Sequence, residues 1–207
     1  MPARAWGFKS PLAHDESDAL RGVTFRFRSG AAPCTTPYAE PMPTLPPGHS
    51  IRHTRESDHP LIVDAIDRWW DTPNRAMLGL LMPRLFLQFF TQTSWIVESE
   101  SGETGAFLIG FQSQDDPDIA YIHFVGVDPE LRNQGIAHTL YEEFFATMRE
   151  RGCAEVRAIT GSFNKRSQAF HAAMGFAAHG DRDIDGVLAY PDYDGPGEPR
   201  VVFTRQI

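Results

Sequence analysis

Residues 132–137, Arg-Asn-Gln-Gly-Ile-Ala, form the segment of this chain best suited to bind an anion. An apolar run from Tyr121 to Val127 precedes them and an amphipathic run follows, so a strand, a polar loop and a helix start are predicted in that order. The first N–H groups of a helix have no intrahelical partner, and the helix dipole is positive there, which suits a phosphate. Gly135 would let the anion approach the backbone, and Arg132 would add a charged, forked donor.

The same loop excludes two common phosphate-binding motifs. No Gly-Lys-Ser/Thr closes it, and Gly-x-Gly-x-x-Gly is absent. The spacing Arg132-x-x-Gly135-x-Ala137, after Val127-x-Pro129, resembles motif A of the GNAT acyltransferase superfamily, whose usual form is Gln/Arg-x-x-Gly-x-Gly/Ala. That resemblance implies that the loop binds the pyrophosphate of acetyl-CoA. The residues that it assigns to the cofactor are Val125, Gly126, Val127, Arg132, Asn133, Gln134, Gly135, Ile136 and Ala137.

A second block downstream resembles motif B of the same superfamily. Asn164 begins a predicted helix, and Gly175-Phe176 follow eleven and twelve residues later. The resemblance implies that Asn164 contacts the cofactor and that this helix packs beside the pantetheine arm. The family usually has a Tyr seven residues after this Asn, as general acid to the departing thiolate, and here that position is His171.

Acyl transfer to an amine needs a proton acceptor and a donor for the carbonyl oxygen. A main-chain N–H near Val125 to Val127 can polarise the carbonyl, and Gly126 would ease a splay or bulge there. Tyr121 and His123 lie two apart on the predicted strand and share a face. An imidazole titrates near neutrality, so we predict that His123 is a base or relay; the alternative is a packed strand histidine. The same two interpretations apply to Tyr121: it is a base or relay, or it is a packed strand residue.

His171 is our candidate for the general acid, with a histidine on the helix surface as the alternative. Tyr190 and Tyr193 are alternative acids if their loop folds over the site. Lys165 and Arg166 either form a solvated helix start or reach the phosphates of the cofactor.

For the acceptor substrate, the best candidates are Trp69 and Trp70, because the first two helices wall the substrate site in this family. Core packing at helical spacing is the competing interpretation. A run of acidic residues late in the chain either attracts an ammonium group or forms a solvated loop: Asp183, Asp185, Asp192 and Asp194.

The order of the predicted elements indicates an α/β fold with a mixed central sheet of six or seven strands, and the resemblance implies that this is a GNAT-like sheet flanked by about four helices. Alternation predicts strands at 95–100, 104–112 and 119–127, and further strands near 50–52, 153–160 and 200–205. Helical spacing predicts helices at about 58–70, 77–91 and 135–151, the second interrupted at Pro83. Residues 183–199 are predicted to be a Gly/Pro/Asp loop.

Composition narrows the class of protein. The chain has 207 residues, 42% of them hydrophobic, and a net charge of −8, which argues against nonspecific nucleic-acid binding. Cys34 and Cys153 lack metal-ligand spacing, so no metal site is predicted, and Cys153 is read as the first residue of a buried strand. The longest apolar stretch, residues 77–90, is too short to span a bilayer, and we expect a cytoplasmic protein without a membrane partner.

We divide the chain into two parts. Residues 1–49 hold eight of its 16 prolines and are predicted to be a disordered tail, or a segment added by a start codon placed too early. Residues 50–207 form the predicted acetyltransferase domain. The sequence thus predicts an N-acetyltransferase that moves acetyl from acetyl-CoA to a primary amine of a small molecule or peptide. Alternatives are an acyl-CoA-binding module without turnover and a phosphate-ligand enzyme that does not use CoA. A homodimer is possible.

Overall fold

One mixed sheet of seven strands organises the residues that can be described. The computed structural model of the protein describes residues 45–70 and 75–207, with the side chains of 75–77 left out. The strands are β1 (His49–His53), β2 (Trp95–Ser99), β3 (Thr104–Gln112), β4 (Ile119–Val127), β5 (Glu155–Gly161), β6 (Ala177–His179) and β9 (Arg200–Gln206). Their order across the sheet is β1-β2-β3-β4-β5-β9-β6, and β4 and β5 run parallel. The predicted fold class is confirmed. The predicted tail lies outside the described residues as far as residue 44.

Two strands form a separate hairpin that the sequence analysis missed. They are β7 (Arg182–Ile184) and β8 (Val187–Ala189), in a segment predicted to be loop. Asp185 and Gly186 connect them with φ angles of 55° and 74°, which is the left-handed geometry of a tight hairpin turn. Asp-Gly is a recognised hairpin signal, and the polar composition around it concealed the two short strands.

The helices cover both faces of the sheet. They are α1 (His59–Trp69), α2 (Arg75–Leu80), α3 (Leu85–Phe89), α4 (Ile136–Glu150) and α5 (Lys165–Ala173). Pro83 lies between α2 and α3, as expected of a residue that cannot continue a helix.

Cys153 is buried but precedes β5, and its N–H donates to Met148 O at the end of α4, so its assignment to the strand was wrong. No helix in the described part of the chain is long and apolar enough to cross a bilayer.

Two apolar clusters lie on opposite faces of the sheet. On the face that we call the α4 face, Leu140, Phe144 and Met148 pack with α5 and the sheet. On the α1 face, Ile62, Ile66 and Trp69 pack with residues of β2 and β3. Each large side chain removed from water contributes about 1.5–3 kcal/mol before chain entropy is subtracted, so these clusters hold the helices to the sheet.

One extra residue interrupts the pairing of β3 with β4. Ile109 faces Phe124, but its neighbour Gly110 faces Ile122, which leaves His123 without a partner. This two-to-one arrangement is a β-bulge. Its effect is that His123 and Phe124 both point to the α1 face, where an unbroken strand would alternate.

The sheet also opens between its two parallel strands. β4 pairs with β5 only over Ile119–Ile122, against Glu155–Ala158. Beyond that point the last three residues of β5 pair with β9 alone, and the last four of β4 pair with β3 alone. A gap therefore separates the second half of β4 from β5, and it leads to the loop before α4.

Candidate functional site

The loop before α4 presents a row of free main-chain donors. Asn133 and Gly135 have φ angles of 62° and 79°, and Gly135 is the residue before the helix. Gly135 has no side chain to cap the helix. Among the residues described, none accepts a hydrogen bond from the N–H groups of 133–138. A helix start of this kind is an anion-binding geometry, as the sequence predicted.

Arg132 is anchored beside this row by main-chain oxygens. Its Nε donates to Val127 O at 3.2 Å, and one terminal nitrogen donates to Trp69 O at 3.3 Å. The pKa of Arg132 is lowered, mainly by burial and then by the nearby charge of Arg166; Asp128 opposes the shift. Two like charges held close together at a row of free N–H groups favour an anionic ligand.

The gap between β4 and β5 is lined by main-chain groups. Residues of an antiparallel pair alternate between exchanging hydrogen bonds and directing their N–H and C=O to the other side. Asp128 N–H donates to Gly105 O at 2.9 Å, so Gly126 is also directed to β3. Val125 and Val127 consequently direct their main-chain groups to the gap. Val127 O receives Arg132, whereas Val125 has no β5 residue opposite it.

Gly126 lies where β4 and β5 have separated, as predicted for a splay, but not at the bulge. The bulge lies at His123, three residues earlier. A Cβ at Gly126 would come within 2.8 Å of Trp70 and 2.7 Å of Phe107, so the missing side chain makes room for these two rings. Gly126 therefore lets the end of α1 close over β4 next to the gap.

His123 is held by one nitrogen only. Its ring stacks on Phe86 with 4.2 Å between centroids and 16° between planes. Nε2 lies 2.6 Å from Leu81 O. A carbonyl oxygen only accepts, so Nε2 carries the proton and Nδ1 keeps its lone pair. Burial lowers the pKa of His123, against the hydrogen bond to Leu81, and the ring is neutral at pH 7.

Tyr121 lies on the same face as His123, as predicted, and its ring is 5.6 Å from Phe111. Its pKa is raised above the ordinary value by burial and by the negative groups Tyr193 and Asp194, with Arg200 acting in the opposite direction. At neutral pH the phenol is protonated. A neutral phenol is not a base, and the raised pKa makes it a weaker acid, so Tyr121 can act only as a relay that regains a proton as it donates one.

His171 lies on the α4 face, away from Tyr121 and His123. It is buried and stacks on Phe203 with 4.4 Å between centroids and 4° between planes. Nδ1 lies 2.8 Å from Ser167 O and Nε2 lies 3.1 Å from the hydroxyl of Tyr141. Both nitrogens are thus occupied, burial lowers the pKa, and the alternative of a surface histidine is wrong.

Asn164 is the residue before α5. Its side-chain oxygen accepts from Ser167 N–H at 3.1 Å, which caps the helix and leaves the amide NH₂ exposed. The structure thus brings Asn164 to a helix start, as the sequence predicted.

The two tryptophans differ in environment. Trp69 is buried and stacks on Phe107 with 5.8 Å between centroids, so it is mainly a core residue. Its Nε1 is buried with no hydrogen-bond partner in the structure. Trp70 is half-buried, packs against Phe124 at 5.5 Å and covers Gly126, which places it near the gap.

The four acidic residues proposed to attract an ammonium group are already engaged by the protein. Their partners are Gly186 N–H for Asp183, Ser162 Oγ for Asp185, Gly197 N–H for Asp192 and Arg200 for Asp194.

Sequence reasoning also missed Leu81 and Phe86, which orient His123. No local pattern could have found them, since they lie about forty residues away in the chain.

Comparison with known proteins agrees with this geometry. The family model described as "Acetyltransferase (GNAT) family" matches residues 63–176. Over 86 residues, 41% of this chain, the sequence is 30% identical to the L-2,4-diaminobutyric acid acetyltransferase of Vibrio parahaemolyticus. Over 90 residues, 42% of this chain, it is 32% identical to human N-acetyltransferase 8. These matches span 45% and 39% of the two relatives, so less than half of each is represented.

A solved structure with the same fold is the diaminobutyrate acetyltransferase of Paenibacillus lautus, in complex with its substrate L-2,4-diaminobutyric acid and coenzyme A. The TM-score is 0.52 at 18% identity, and the match covers 75% of this chain and 93% of that one. At this identity the likeness establishes the fold alone.

Proposed function

The chain belongs to the GNAT acetyltransferase family, and on that premise we propose that it transfers an acetyl group from acetyl-CoA to a primary amine, by direct attack in a ternary complex. The observation that carries the proposal is the gap between β4 and β5, which runs from the free donors before α4 to the bulge at His123. The gap links the proposed diphosphate site before α4 to the strand that carries His123. Main-chain groups without a strand partner line it.

In this proposal the diphosphate of the cofactor binds the N–H groups of residues 133–138, with Arg132 and Arg166 balancing its charge. The pantetheine arm lies in the gap and forms hydrogen bonds with the main chain of Val125. The exposed amide of Asn164 contacts the arm from the α5 side. Shape and charge both favour this arrangement, because the gap is lined by polar main-chain groups that an amide-containing arm can satisfy.

The proposed chemistry depends on the lone pair at Nδ1 of His123. The neutral amine attacks the thioester carbon, and its nitrogen gives up one proton to Nδ1, directly or through water, as the new bond forms. The carbonyl oxygen gains charge and accepts from the N–H of Val125. The C–N bond forms as the C–S bond breaks, and the thiolate takes up a proton. In our scheme Tyr121 relays that proton: its phenol donates to the thiolate and regains a proton from the imidazolium of His123 through water, while both nitrogens of His171 are occupied.

The acceptor enters over the α1 face, beside Trp70 and His123. The relative named for acetylation of L-2,4-diaminobutyric acid supports a small molecule with an amine as the acceptor. The first experiment measures acetyl-CoA binding by calorimetry and then thiol release over a panel of amines. Thiol release that depends on the amine and on His123 supports the proposal. An unoccupied loop, with no CoA binding, would overturn it.

A second function has one observation in its favour. The family's usual tyrosine acid is replaced by His171, which lies in the core with both nitrogens bonded. A protein that binds acyl-CoA without turnover would show binding in calorimetry and no thiol release with any amine. The same two measurements therefore separate the enzyme from the binding module.

A further inference from the structure

Arg157 is a charged side chain on the acceptor side that the scheme above does not use. In the parallel pair it lies directly opposite Tyr121. Its neighbours Val156 and Ala158 are buried in the α4-face cluster, so Arg157 points to the α1 face, where Tyr121 and His123 lie. From strand spacings of about 4.8 Å across and about 3.3 Å along the chain, its Cα lies about 8 Å from that of His123.

In the guanidinium of Arg157, Nε is engaged in an ion pair and the two terminal nitrogens are available to a ligand. Its Nε lies 2.5 Å from Glu155 Oε1, and the other oxygen of that carboxylate accepts from Gln206 at 2.8 Å. Neither terminal nitrogen has a hydrogen bond to any residue that the structure describes, and 37% of the side chain is exposed. Two parallel N–H donors in this state match the two oxygens of a carboxylate.

The neighbouring arginine on the same face shows the contrast. All three guanidinium nitrogens of Arg200 are occupied, by Asp194, Glu198 and the carbonyl of Pro199. Arg200 thus holds the loop after β8 in place, and each of its nitrogens is already engaged by the protein. Arg157 lies close to that loop as well, because its charge acts on the phenol of Tyr193. Tyr121, opposite Arg157 in the strand pair, and Tyr193 are therefore aromatic residues in its vicinity.

We propose that Arg157 binds a carboxylate of the acceptor, so that the acceptor is an amine of the amino-acid class and not a simple alkylamine. The inference rests on the proposed function and adds the substrate class. Glu155 keeps the guanidinium oriented, and the acceptor carboxylate takes the two terminal nitrogens. The short span to His123 suits an amine a few bonds away from that carboxylate.

The test compares amino acids with their carboxamides, which differ only in the charged group. L-Lysine, L-2,4-diaminobutyrate and L-phenylalanine are each assayed beside the amide, with thiol release as the readout. We expect kcat/KM to be at least about tenfold higher for the acids. Arg157→Ala should lower kcat/KM for the acids about 10–100-fold, mainly through KM, and change the amides less than about threefold.

The control is Arg182→Ala, which removes an exposed arginine from β7 and should leave the acid-to-amide ratio unchanged. Glu155→Gln keeps a side-chain oxygen that can accept from Nε of Arg157, and should therefore preserve the preference. Equal rates with acids and amides, or a preference that survives Arg157→Ala, would overturn the inference while leaving the acetyltransferase proposal intact.

A binding measurement distinguishes failure of the proposed function from failure of the carboxylate site. If no amine is acetylated, the acids and amides are titrated into the CoA-loaded protein by calorimetry. Binding of acids that is lost in Arg157→Ala still supports the carboxylate site, and absence of any acid binding overturns it.

Discussion

A half-buried histidine on one face of the sheet and a buried histidine on the other have opposite relations to their surroundings. Burial lowers the pKa of both, and both stack on a phenylalanine. His123 uses one nitrogen to bind a main-chain oxygen and leaves the other free. His171 has both nitrogens bonded inside the core. The burial of a histidine therefore says little about its chemistry. The informative feature is a ring nitrogen that has no hydrogen-bond partner.

Removing the free nitrogen should have the largest effect. We expect His123→Ala to lower kcat by about 10²–10⁴-fold, the usual contribution of a general base. The acidic limb of the pH–rate profile should disappear with it. His59→Ala is the control, because that ring bonds Met82 O but lies on α1 instead of β4. An unchanged pH–rate profile in the His123 variant would exclude this residue as the base.

The other histidine should affect stability instead of rate. His171→Ala should lower the free energy of unfolding by about 2–4 kcal/mol, because it leaves a cavity against Phe203 and an unpaired Tyr141 hydroxyl. Urea unfolding measures the loss. Tyr141→Phe keeps the ring and removes the hydroxyl, and should cost about 1 kcal/mol. If His171→Ala folds with normal stability but loses turnover, His171 belongs with the catalytic groups and the contrast is wrong.

The anion loop gives an intermediate effect that involves neither histidine. Arg132→Ala should weaken CoA binding by about 1–3 kcal/mol, since a charge-assisted bond to the diphosphate is lost. Arg149→Ala, at the exposed far end of α4, is the matched control. Calorimetry with CoA is the measurement. Equal affinities in both variants would show that the loop does not hold the cofactor.

The smallest expected effect is on the pH dependence of stability. A histidine whose folded pKa is lowered binds fewer protons in the folded state than in the unfolded state. Its contribution is fully present above the unfolded value of about 6.5 and is lost as pH falls below it, by at most about 1.4 kcal/mol per pH unit. Urea midpoints between pH 5 and 8 should therefore fall on acidification, and less so in His171→Ala. Midpoints independent of pH would contradict the burial of both rings.

Much of the scaffold could be read from local patterns. Strands β3 and β4 were predicted to the residue, because apolar runs end at clear turn residues on both sides. The helix start after Gly135 and the break at Pro83 are also local signals. These features depend on neighbours in the sequence, which one chain displays in full.

The environment of the candidate site could not be read in the same way. The carbonyl that fixes the tautomer of His123 belongs to Leu81, 42 residues earlier, and its residue type is irrelevant to the bond. The burial of His171 depends on Phe203 in the last strand. The bulge is set by the register between two strands. Roles proposed for the cofactor, acid and acceptor residues stay predictions until ligands are bound.

The unpaired residue in β4 also bears on how such proteins can diverge. Because His123 is extra to the pairing, a chain without it would keep Ile122 opposite Gly110 and Phe124 opposite Ile109. Both apolar clusters would survive such a deletion, since every other side chain would stay on its own face. Under the proposed function, loss of this one codon would remove the base while leaving the proposed coenzyme loop and both clusters in place.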